Sequence, residues 1–357
     1  MARRRRCGWP RVSRVFKHID PMVRLVVAAI LLASLLPVKG PAREAAQFAS
    51  NAAVFVLFFL YGLRLSRREV LAGLGNHRLL APLTLWVFGA MAGAGWLLWQ
   101  AGANFLPPAL ALGFLFLGAL PSTVQSATAY SSLAGGNVAS SVVAAALVNI
   151  LGVFISAPLF SLLAGGEGAE FHGAALVKVV TMLLLPFILG QALQGLTRAW
   201  VTGHRQLIAL MDRTTIGIAV YVAFSGAVEQ GIWDRVDLTA WAGLLLGCAL
   251  LLLAGYGGSW LLGGVLKLPR GDRISLLFAG AQKSVAMGAP LATVLFPPAL
   301  AGIVLLPLLV YHLAQMLVAA PIAARLRAGL LSPLPQAGGG LIISADKSAP
   351  PPERPAS

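Results

Sequence analysis

Charged residues are scarce in this chain, and acidic residues are the scarcest of them. Only 11% of its 357 residues are charged, with 12 Asp and Glu in total, whereas soluble domains carry roughly a quarter charged residues. At the same time, 58% of the residues are hydrophobic and the mean hydropathy is +0.82. This balance excludes an ordinary soluble domain and predicts an all-α polytopic membrane protein.

Metal-binding and redox side chains are also few. The chain has two cysteines, Cys7 in a basic segment and Cys248 in an apolar run, so neither a disulfide framework nor a metal cluster is indicated. Among the five histidines, only His312 lies well inside a predicted span. Enzyme chemistry needs a base or a metal beside its nucleophile. We therefore predict that the protein is not an enzyme, has no catalytic residue and carries no organic cofactor.

The net charge of +15 could suggest a nucleic-acid-binding protein, but the basic residues are scattered at the ends of apolar runs. That placement is typical of membrane topology. If the amino terminus is cytoplasmic and the spans alternate, 22 of the 27 Lys and Arg lie on the cytoplasmic side, and Lys283 is the one that lies deep inside a span. The split predicts an inner-membrane protein that contacts lipid, binds no nucleic acid and has both termini in the cytoplasm.

Ten apolar runs approach or exceed the roughly 20 residues that a spanning helix needs. They are 21–37, 45–63, 79–101, 108–133, 138–163, 171–196, 214–228, 238–266, 275–296 and 300–324. They form two predicted five-helix repeats, 21–163 and 171–327, between a basic head (1–20) and a disordered tail (328–357). The head also has the polarity of a signal peptide, but no small-residue cleavage site follows directly, so we interpret it as an anchor on anionic lipid.

The fourth run of each half carries a polar interruption with a nearby proline. The first reads LPSTVQSATAYSSLAGGNVASS at 120–141, and the second reads FAGAQKSVAMGAPLA at 278–292. Irregular polar backbone in a membrane is tolerated only where it lines a protein-enclosed cavity. Because five is odd, the second half would enter the membrane from the opposite side, which predicts an inverted repeat with two discontinuous, crossing helices. For each stretch alone, small residues that serve only helix packing are the alternative.

Lys283 is the one charged residue deep inside a predicted span. A charge at the bilayer centre costs roughly a few kcal/mol, so such a residue is a functional hypothesis by default. No acidic residue falls inside a predicted span. The expected partners of the ammonium are therefore amide and hydroxyl oxygens, half-helix carbonyl ends or an anionic substrate, with a fixed structural charge as the alternative role.

These two stretches predict one substrate and ion site near the membrane midplane. Its candidate residues share polar side chains in or beside the interruptions: Thr123, Gln125, Ser126, Asn137, Ser141, Gln282, Lys283 and Ser284. His312 and Gln315 lie at i and i+3 on one helix face. We expect that pair behind the cavity, with an ordinary interhelical contact as the alternative.

Four segments resemble the bile acid:sodium symporter family, and in particular the branch that contains solute carrier family ten member seven and its bacterial homologues. They are FFLYGLRLS (58–66), PSTVQSATAYSSLAGGNVASS (121–141), GAQKSVAMGAPLA (280–292) and YHLAQ (311–315). The resemblance covers residues 21–327. It implies a ten-helix fold of two inverted repeats, with a panel domain and a core domain, and alternating access around the crossing fourth and ninth helices.

The resemblance leaves the sodium ligands open. Sodium-coupled members carry an acidic residue at the position of Phe278 and a hydroxyl at that of Ala145. Gln282 and Ser141 match the pattern, and Ser126 matches it in one of two registers. A sodium ion held by Ser126, Ser141 and Gln282 is therefore one alternative.

The other alternative is that Lys283 acts as a tethered cation in place of a bound ion. Its ammonium could neutralise half-helix carbonyl ends, attract an anionic substrate or titrate. The lysine belongs to a Gln-Lys-Ser motif that is typical of the branch named above, so the loss of the acidic residue belongs to the subgroup.

The favoured function is a secondary active transporter that moves an organic anion, bile-acid-like or another carboxylate or sulfonate, together with sodium or protons. A non-transporting membrane regulator or scaffold on a transporter fold is the second hypothesis, and a membrane enzyme with Lys283 as an amine nucleophile is the third. A regulator would not need polar interruptions aligned in both halves, so these favour transport.

Overall fold

The computed structural model describes residues 21–64, 76–165, 177–232 and 236–329. Within these ranges the chain is helical, with turns and bends between the helices and no strand. The all-α class expected from composition is therefore confirmed for the part of the chain that the structure describes. The predicted basic head (1–20) and all but the first two residues of the predicted tail (328–357) lie outside the described residues.

The first half of the chain contains one interrupted helix. Its helices are α1 (Pro21–Leu35), α2 (Pro41–Arg64), α3 (His77–Gly102), α4 (Pro108–Ala119), α5 (Gln125–Leu133) and α6 (Val138–Ala164). Residues 120–124, here called the first break, separate α4 from α5. Pro121 explains why α4 ends, because the residue before a proline is disfavoured in the helical region. Leu120 is accordingly extended, with φ −76° and ψ 151°.

The second half is interrupted in the same way. Its helices are α7 (Val177–Thr197, continuing to Gly203), α8 (Arg205–Glu229), α9 (Leu238–Val265), α10 (Arg270–Ala281), α11 (Val285–Leu295) and α12 (Pro298–Arg327). Residues 282–284, here called the second break, separate α10 from α11. Gln282 is extended, and the Ser284 hydroxyl starts α11 by accepting a hydrogen bond from the Met287 N–H at 3.2 Å.

The seventh predicted span is much shorter than the helix that the structure contains there. Hydropathy predicts a seventh span at 214–228, whereas α8 already begins at Arg205. The early turns of α8 mix charged and apolar side chains, and Ile208 is buried in a small cluster with Leu60 and Leu63 of α2. Amphipathic packing therefore extends this helix beyond its apolar run.

Seven of the described helices are long and apolar enough to cross a membrane, namely α2, α3, α6, α7, α8, α9 and α12. Two shorter apolar helices, α1 and α4, accompany them. Large apolar side chains are exposed on the outside, for example Leu35, Leu196 and Leu238, which are 78%, 85% and 87% exposed. A surface of this kind has to be covered, and together with the long apolar helices it indicates an integral membrane protein.

The helices around the breaks approach closely at small residues. Gly95 of α3 and Gly118 of α4 face each other, and a Cβ atom on Gly118 would lie 2.7 Å from the Met91 carbonyl oxygen. Close approach through small residues is typical of membrane helices. It brings the carboxyl end of α4 against the middle of α3, beside the first break.

Candidate functional site

The two breaks contact each other directly. The Ser284 N–H of the second break donates to the Pro121 carbonyl oxygen of the first break at 3.0 Å. The Gln282 side chain extends this contact, because its Oε1 accepts hydrogen bonds from the Thr123 hydroxyl (2.8 Å) and from the Ser126 hydroxyl. The polar stretches of the two halves, about 160 residues apart, therefore form one cluster inside the helix bundle.

Lys283 lies in the middle of the second break and has no exposed surface. Its ammonium donates to three carbonyl oxygens, those of Gly118 and Leu120 at 2.7 Å each and that of Val87 at 3.3 Å. The carbonyls at a helix carboxyl end lack helical donors and carry the negative end of the helix dipole. Of the partners expected for this ammonium, it contacts the half-helix carbonyl end.

A π-helical turn makes the third carbonyl available. The segment Trp86–Ala90 within α3 adopts this wider turn, and the Met91 N–H donates to the Trp86 carbonyl oxygen. In an α-helix the same N–H would bond four residues back, to the Val87 carbonyl oxygen. The π-turn thus leaves that oxygen for the lysine, and such turns are frequent at functional sites.

Helix α12 satisfies the backbone of the second break. The Gln315 side chain accepts from the Lys283 N–H at 2.8 Å and donates to the Lys283 carbonyl oxygen at 3.2 Å. The Tyr311 hydroxyl donates to the Ala281 carbonyl oxygen at 2.6 Å, and His312 Nδ1 lies 2.7 Å from Gln315 Nε2. Interrupted backbone away from water needs such partners. The pair His312 and Gln315 therefore lies beside the second break, with Gln315 bonded to its backbone.

A cavity of about 350 Å³ lies beside the two breaks. The first turns of both α5 and α11 line it, together with residues of α1, α2, α6, α8 and α12. Its charged and polar lining residues include Arg64, Thr123, Gln125, Ser126, Asn149, Asp212, Arg213, Ser284 and His312. The volume is at the lower end of the range for sites that bind organic ligands.

The charges of this cavity come from α2 and α8. Arg64 and Asp212 form an ion pair, with 2.5 Å between Nη1 and Oδ2, and Arg213 also lines the cavity. Two guanidinium groups against one carboxylate give these residues a net positive formal charge. The breaks contribute neutral hydroxyl and amide groups instead. A cavity with this balance attracts anions.

Only some of the predicted site residues line the cavity. Those that line the cavity are Thr123, Gln125, Ser126 and Ser284. Gln282 and Lys283 are fully buried in the second break and do not line it. They connect the two breaks, whereas the sequence suggested that they face the cavity with the others.

Two further candidates lie in α6 and do not line the cavity either. Ser141 is fully buried, and its hydroxyl has no hydrogen-bond partner among the described residues. Asn137 is exposed and caps the start of α6, where its Oδ1 accepts from the Ser140 N–H at 3.1 Å. Its Nδ2 donates to Asp272 at 2.9 Å, so the Asn137 side chain joins two helix starts.

The expected sodium ligands do not form a ready cation site in this arrangement. Ser126 and Gln282 are neutral and already bond each other, so their oxygens would have to separate before they could hold an ion. Phe278, at the position of the acidic residue in sodium-coupled members, is fully buried and stacks on Tyr130 with 5.9 Å between ring centroids. A sodium ion at Ser126, Ser141 and Gln282 stays a prediction that this geometry does not favour.

Sequence reasoning missed the charged residues of the cavity. Asp212, which the sequence placed outside the predicted spans, lies in α8, a helix long enough to cross a membrane. Its partner Arg64 was treated only as a topology signal. The apolar residues 207–211 directly before Asp212 were the available signal that the helix starts earlier.

Comparisons with known proteins agree on one family. The SBF-like CPA transporter family matches residues 20–328. An uncharacterized protein of Pseudomonas aeruginosa is 37% identical over 307 residues, which cover 86% of this chain and 92% of that protein. YfeH of Escherichia coli, named a candidate symporter, is 37% identical over 321 residues, or 87% of this chain and 94% of YfeH.

A more distant relative supports the same family. The sodium/bile acid cotransporter 7 of Mus musculus is 22% identical over 323 residues, which cover 86% of this chain and 92% of the mouse protein. Together with the family match, this confirms the resemblance to the bile acid:sodium symporter type and its member-seven branch.

Proposed function

The chain belongs to the SBF-like CPA transporter family, and from this premise we propose that it is a secondary active transporter of a small organic anion. It carries a carboxylate or sulfonate, bile-acid-like or otherwise, across the membrane by alternating access, coupled to sodium or to protons. The names of its relatives, a candidate symporter and a sodium/bile acid cotransporter, support transport as the function.

The observation that carries this proposal is the shared lining of one cavity by the first turns of two half-helices. Residues 124–126 at the start of α5 and residues 284–286 at the start of α11 both line it. Helix amino ends present free N–H groups and the positive end of the dipole, which favour anions. Discontinuous helices with this orientation are how many secondary transporters hold an anionic group.

The charged residues of the cavity support the same substrate class. Arg213 has an exposed side chain, while Arg64 is held by Asp212 at 2.5 Å. A carboxylate or sulfonate that enters the cavity would meet a guanidinium from α8 before it reached the neutral breaks. Long-range attraction of this kind raises the local concentration of an anion.

We extend the proposal to the arrangement in the membrane. Ten spans would form two inverted repeats, 21–163 and 171–327, in the inner cell membrane with both termini in the cytoplasm. Two of the three π-turns in the described residues support the repeat, because Trp86–Ala90 and Ala254–Gly258 lie in the third helix of each half; the third, Val180–Leu184 of α7, has no counterpart in α1. Since Arg64 and Arg213 are on the cytoplasmic side of the charge split, the cavity would open to that side.

The two coupling ions would use different residues. Sodium would need Ser126, Ser141 and Gln282, after the hydrogen bond between Ser126 and Gln282 has opened. Protons would need a titratable group on the transport route, and Asp212 and His312 line the cavity. If sodium is the coupling ion, a sodium gradient should stimulate uptake and a pH gradient should not. If protons are the coupling ion, the pH gradient should stimulate uptake and the sodium gradient should not.

Uptake by purified protein in proteoliposomes tests the function. We expect uptake of at least one anion from a panel of carboxylates and sulfonates, and stimulation by an imposed sodium or pH gradient. Arg213→Gln should lower the initial rate about tenfold or more at low salt, because its charge faces the cavity. Arg205→Gln, at an exposed position of the same helix outside the cavity lining, is the matched control and should transport normally.

Binding without transport would contradict the proposal. If panel anions protect the protein against thermal unfolding but no gradient drives uptake, the chain is a non-transporting regulator on a transporter fold. Equal loss of uptake in the Arg205 and Arg213 variants would show that general surface charge, and not the cavity, attracts the anion.

A further inference from the structure

The Lys283 ammonium is an unusual group for a protein interior. It has no exposed surface, and it forms no ion pair within the described residues. A buried charge is normally paired with an opposite charge. In the part of the chain that the structure describes, the compensation comes from the backbone carbonyl dipoles around the ammonium.

The acceptors around this ammonium form a complete cage. An ammonium has three N–H donors, and Lys283 finds three carbonyl oxygens, those of Val87, Gly118 and Leu120. Two of these oxygens terminate α4, and the third is released by the π-turn of α3. Each donor therefore has an acceptor, and the acceptors belong to α3, to α4 and to the residue that directly follows α4.

A cage of carbonyl oxygens is also a ligand set for a monovalent metal cation. Backbone carbonyls alone can replace the hydration shell of potassium in ion channels. The cage adds the negative dipole end of α4, which favours a positive charge of any kind. The oxygens are fixed by backbone geometry, so they would stay in place if the lysine side chain were shortened.

We propose that Lys283 is a built-in monovalent cation that holds α3, α4 and the second break together, and that its three carbonyl acceptors form a latent monovalent-cation site. The lysine fills this site in the native protein, so the crossing of the two breaks is charge-compensated without any bound ion there. Lys283 is then a positioning residue for the transporter, and a cation bound in its place should restore what its removal destroys.

Thermal unfolding of purified Lys283→Ala tests this directly. In choline chloride we expect its unfolding midpoint to fall by roughly 5–10 °C relative to the wild type, because three carbonyls lose their donors. Potassium, sodium or methylammonium chloride at equal ionic strength should raise the midpoint saturably in Lys283→Ala. The wild type should show no such response, because its cage is filled.

Two further variants make the result specific. Lys283→Met removes the charge, but its side chain still fills the space between the three carbonyl oxygens. Its unfolding midpoint should therefore fall, and added cations should not raise it. Lys178→Ala removes a lysine from α7 and should show neither the fall nor the rescue. If Lys283→Ala is too unstable to purify in choline, extraction in potassium or methylammonium should recover it, and failure to recover it overturns the proposal.

Other outcomes would also overturn it. Equal responses to potassium and choline in Lys283→Ala, rescue of Lys283→Met to the same extent, or a wild-type midpoint in Lys283→Ala would each exclude a latent cation site. Because the readout is stability, such a failure is distinguishable from a failure of the transport proposal, which only the uptake assay tests.

Discussion

The first break and the second break interrupt two helices in the same way, but different parts of the molecule satisfy them. Thr123 and Val124 of the first break are partly buried and line the cavity. In the second break, Gln282 and Lys283 are fully buried and Ser284 is 3% exposed. The first break therefore contributes Thr123 and Val124 to the cavity lining, while the second contributes only the nearly buried Ser284.

This difference shows an order of dependence, in which each element of the site is held in place by the next one. The carbonyl end of α4 beside the first break is satisfied by Lys283 from the second break. The backbone of the second break is in turn satisfied by Gln315 and Tyr311 of α12. Helix α12 thus positions the second break, the second break positions the first, and the first lines the cavity. A substitution in α12 or in the second break should therefore affect stability and uptake more than a substitution in the cavity lining.

The largest effect should follow a change in α12 that removes support from the second break. Gln315→Leu leaves the N–H and the C=O of Lys283 without their partners in a buried site. Each unsatisfied group costs about 1–3 kcal/mol, so we expect about 3 kcal/mol or more of lost stability and loss of uptake. Thermal or denaturant unfolding measures the first effect and proteoliposome flux the second.

The exposed Gln100 of α3 offers a matched control for this prediction. Gln100→Leu changes the same chemistry outside the site and should leave stability within about 0.5 kcal/mol of the wild type. A Gln315→Leu protein with normal stability would contradict the order of dependence and reduce the α12 contact to ordinary helix packing.

The position of both breaks was accessible from the sequence, and the physical reasons are local. Pro121 disfavours helix at Leu120, and the polar stretches of both halves could not face lipid. His312 and Gln315 were both predicted to lie behind the cavity, whereas the structure has His312 in the cavity lining and only Gln315 away from it. The apolar runs also predicted most helix bounds to within a few residues, for example 138–163 against Val138–Ala164.

The acceptors of Lys283 were not accessible from the sequence. Val87, Gly118 and Leu120 have side chains without polar groups, and a backbone carbonyl has no sequence signature. The π-turn that frees the Val87 carbonyl depends on packing between α3 and its neighbours. Asp212 was missed for a different reason, because a hydropathy window averages over an amphipathic helix start and hides a charge that faces a cavity.

A smaller effect is expected beside the first break, where Ser126 of α5 bonds Gln282 and Thr123. Ser126→Ala removes one hydroxyl, but Thr123 still donates to Gln282 at 2.8 Å, so we expect about 1 kcal/mol of lost stability. Uptake should fall more than stability does, because this hydroxyl lines the cavity. Initial rates at several substrate concentrations, together with unfolding midpoints, measure both effects.

Ser132 provides the comparison for this variant, since it lies on the same helix and is exposed. Ser132→Ala should be neutral in both assays. If Ser126→Ala destabilised the protein as much as Gln315→Leu, the first break would be as structural as the second, and the distinction between lining and support would be lost.

The smallest effects on uptake should come from two helix caps, one in the cavity lining and one outside it. Asn137 caps α6 and Ser284 caps α11, with cap distances of 3.1 and 3.2 Å to backbone N–H groups. Replacing either by Ala should cost about 1 kcal/mol of stability, the usual value for an N-cap. Only Ser284→Ala should also slow uptake, because Ser284 lines the cavity and Asn137 does not. Equal uptake defects in both variants would show that the Asn137 contact with Asp272 also controls the site, and would return Asn137 to the group of functional residues in which the sequence placed it.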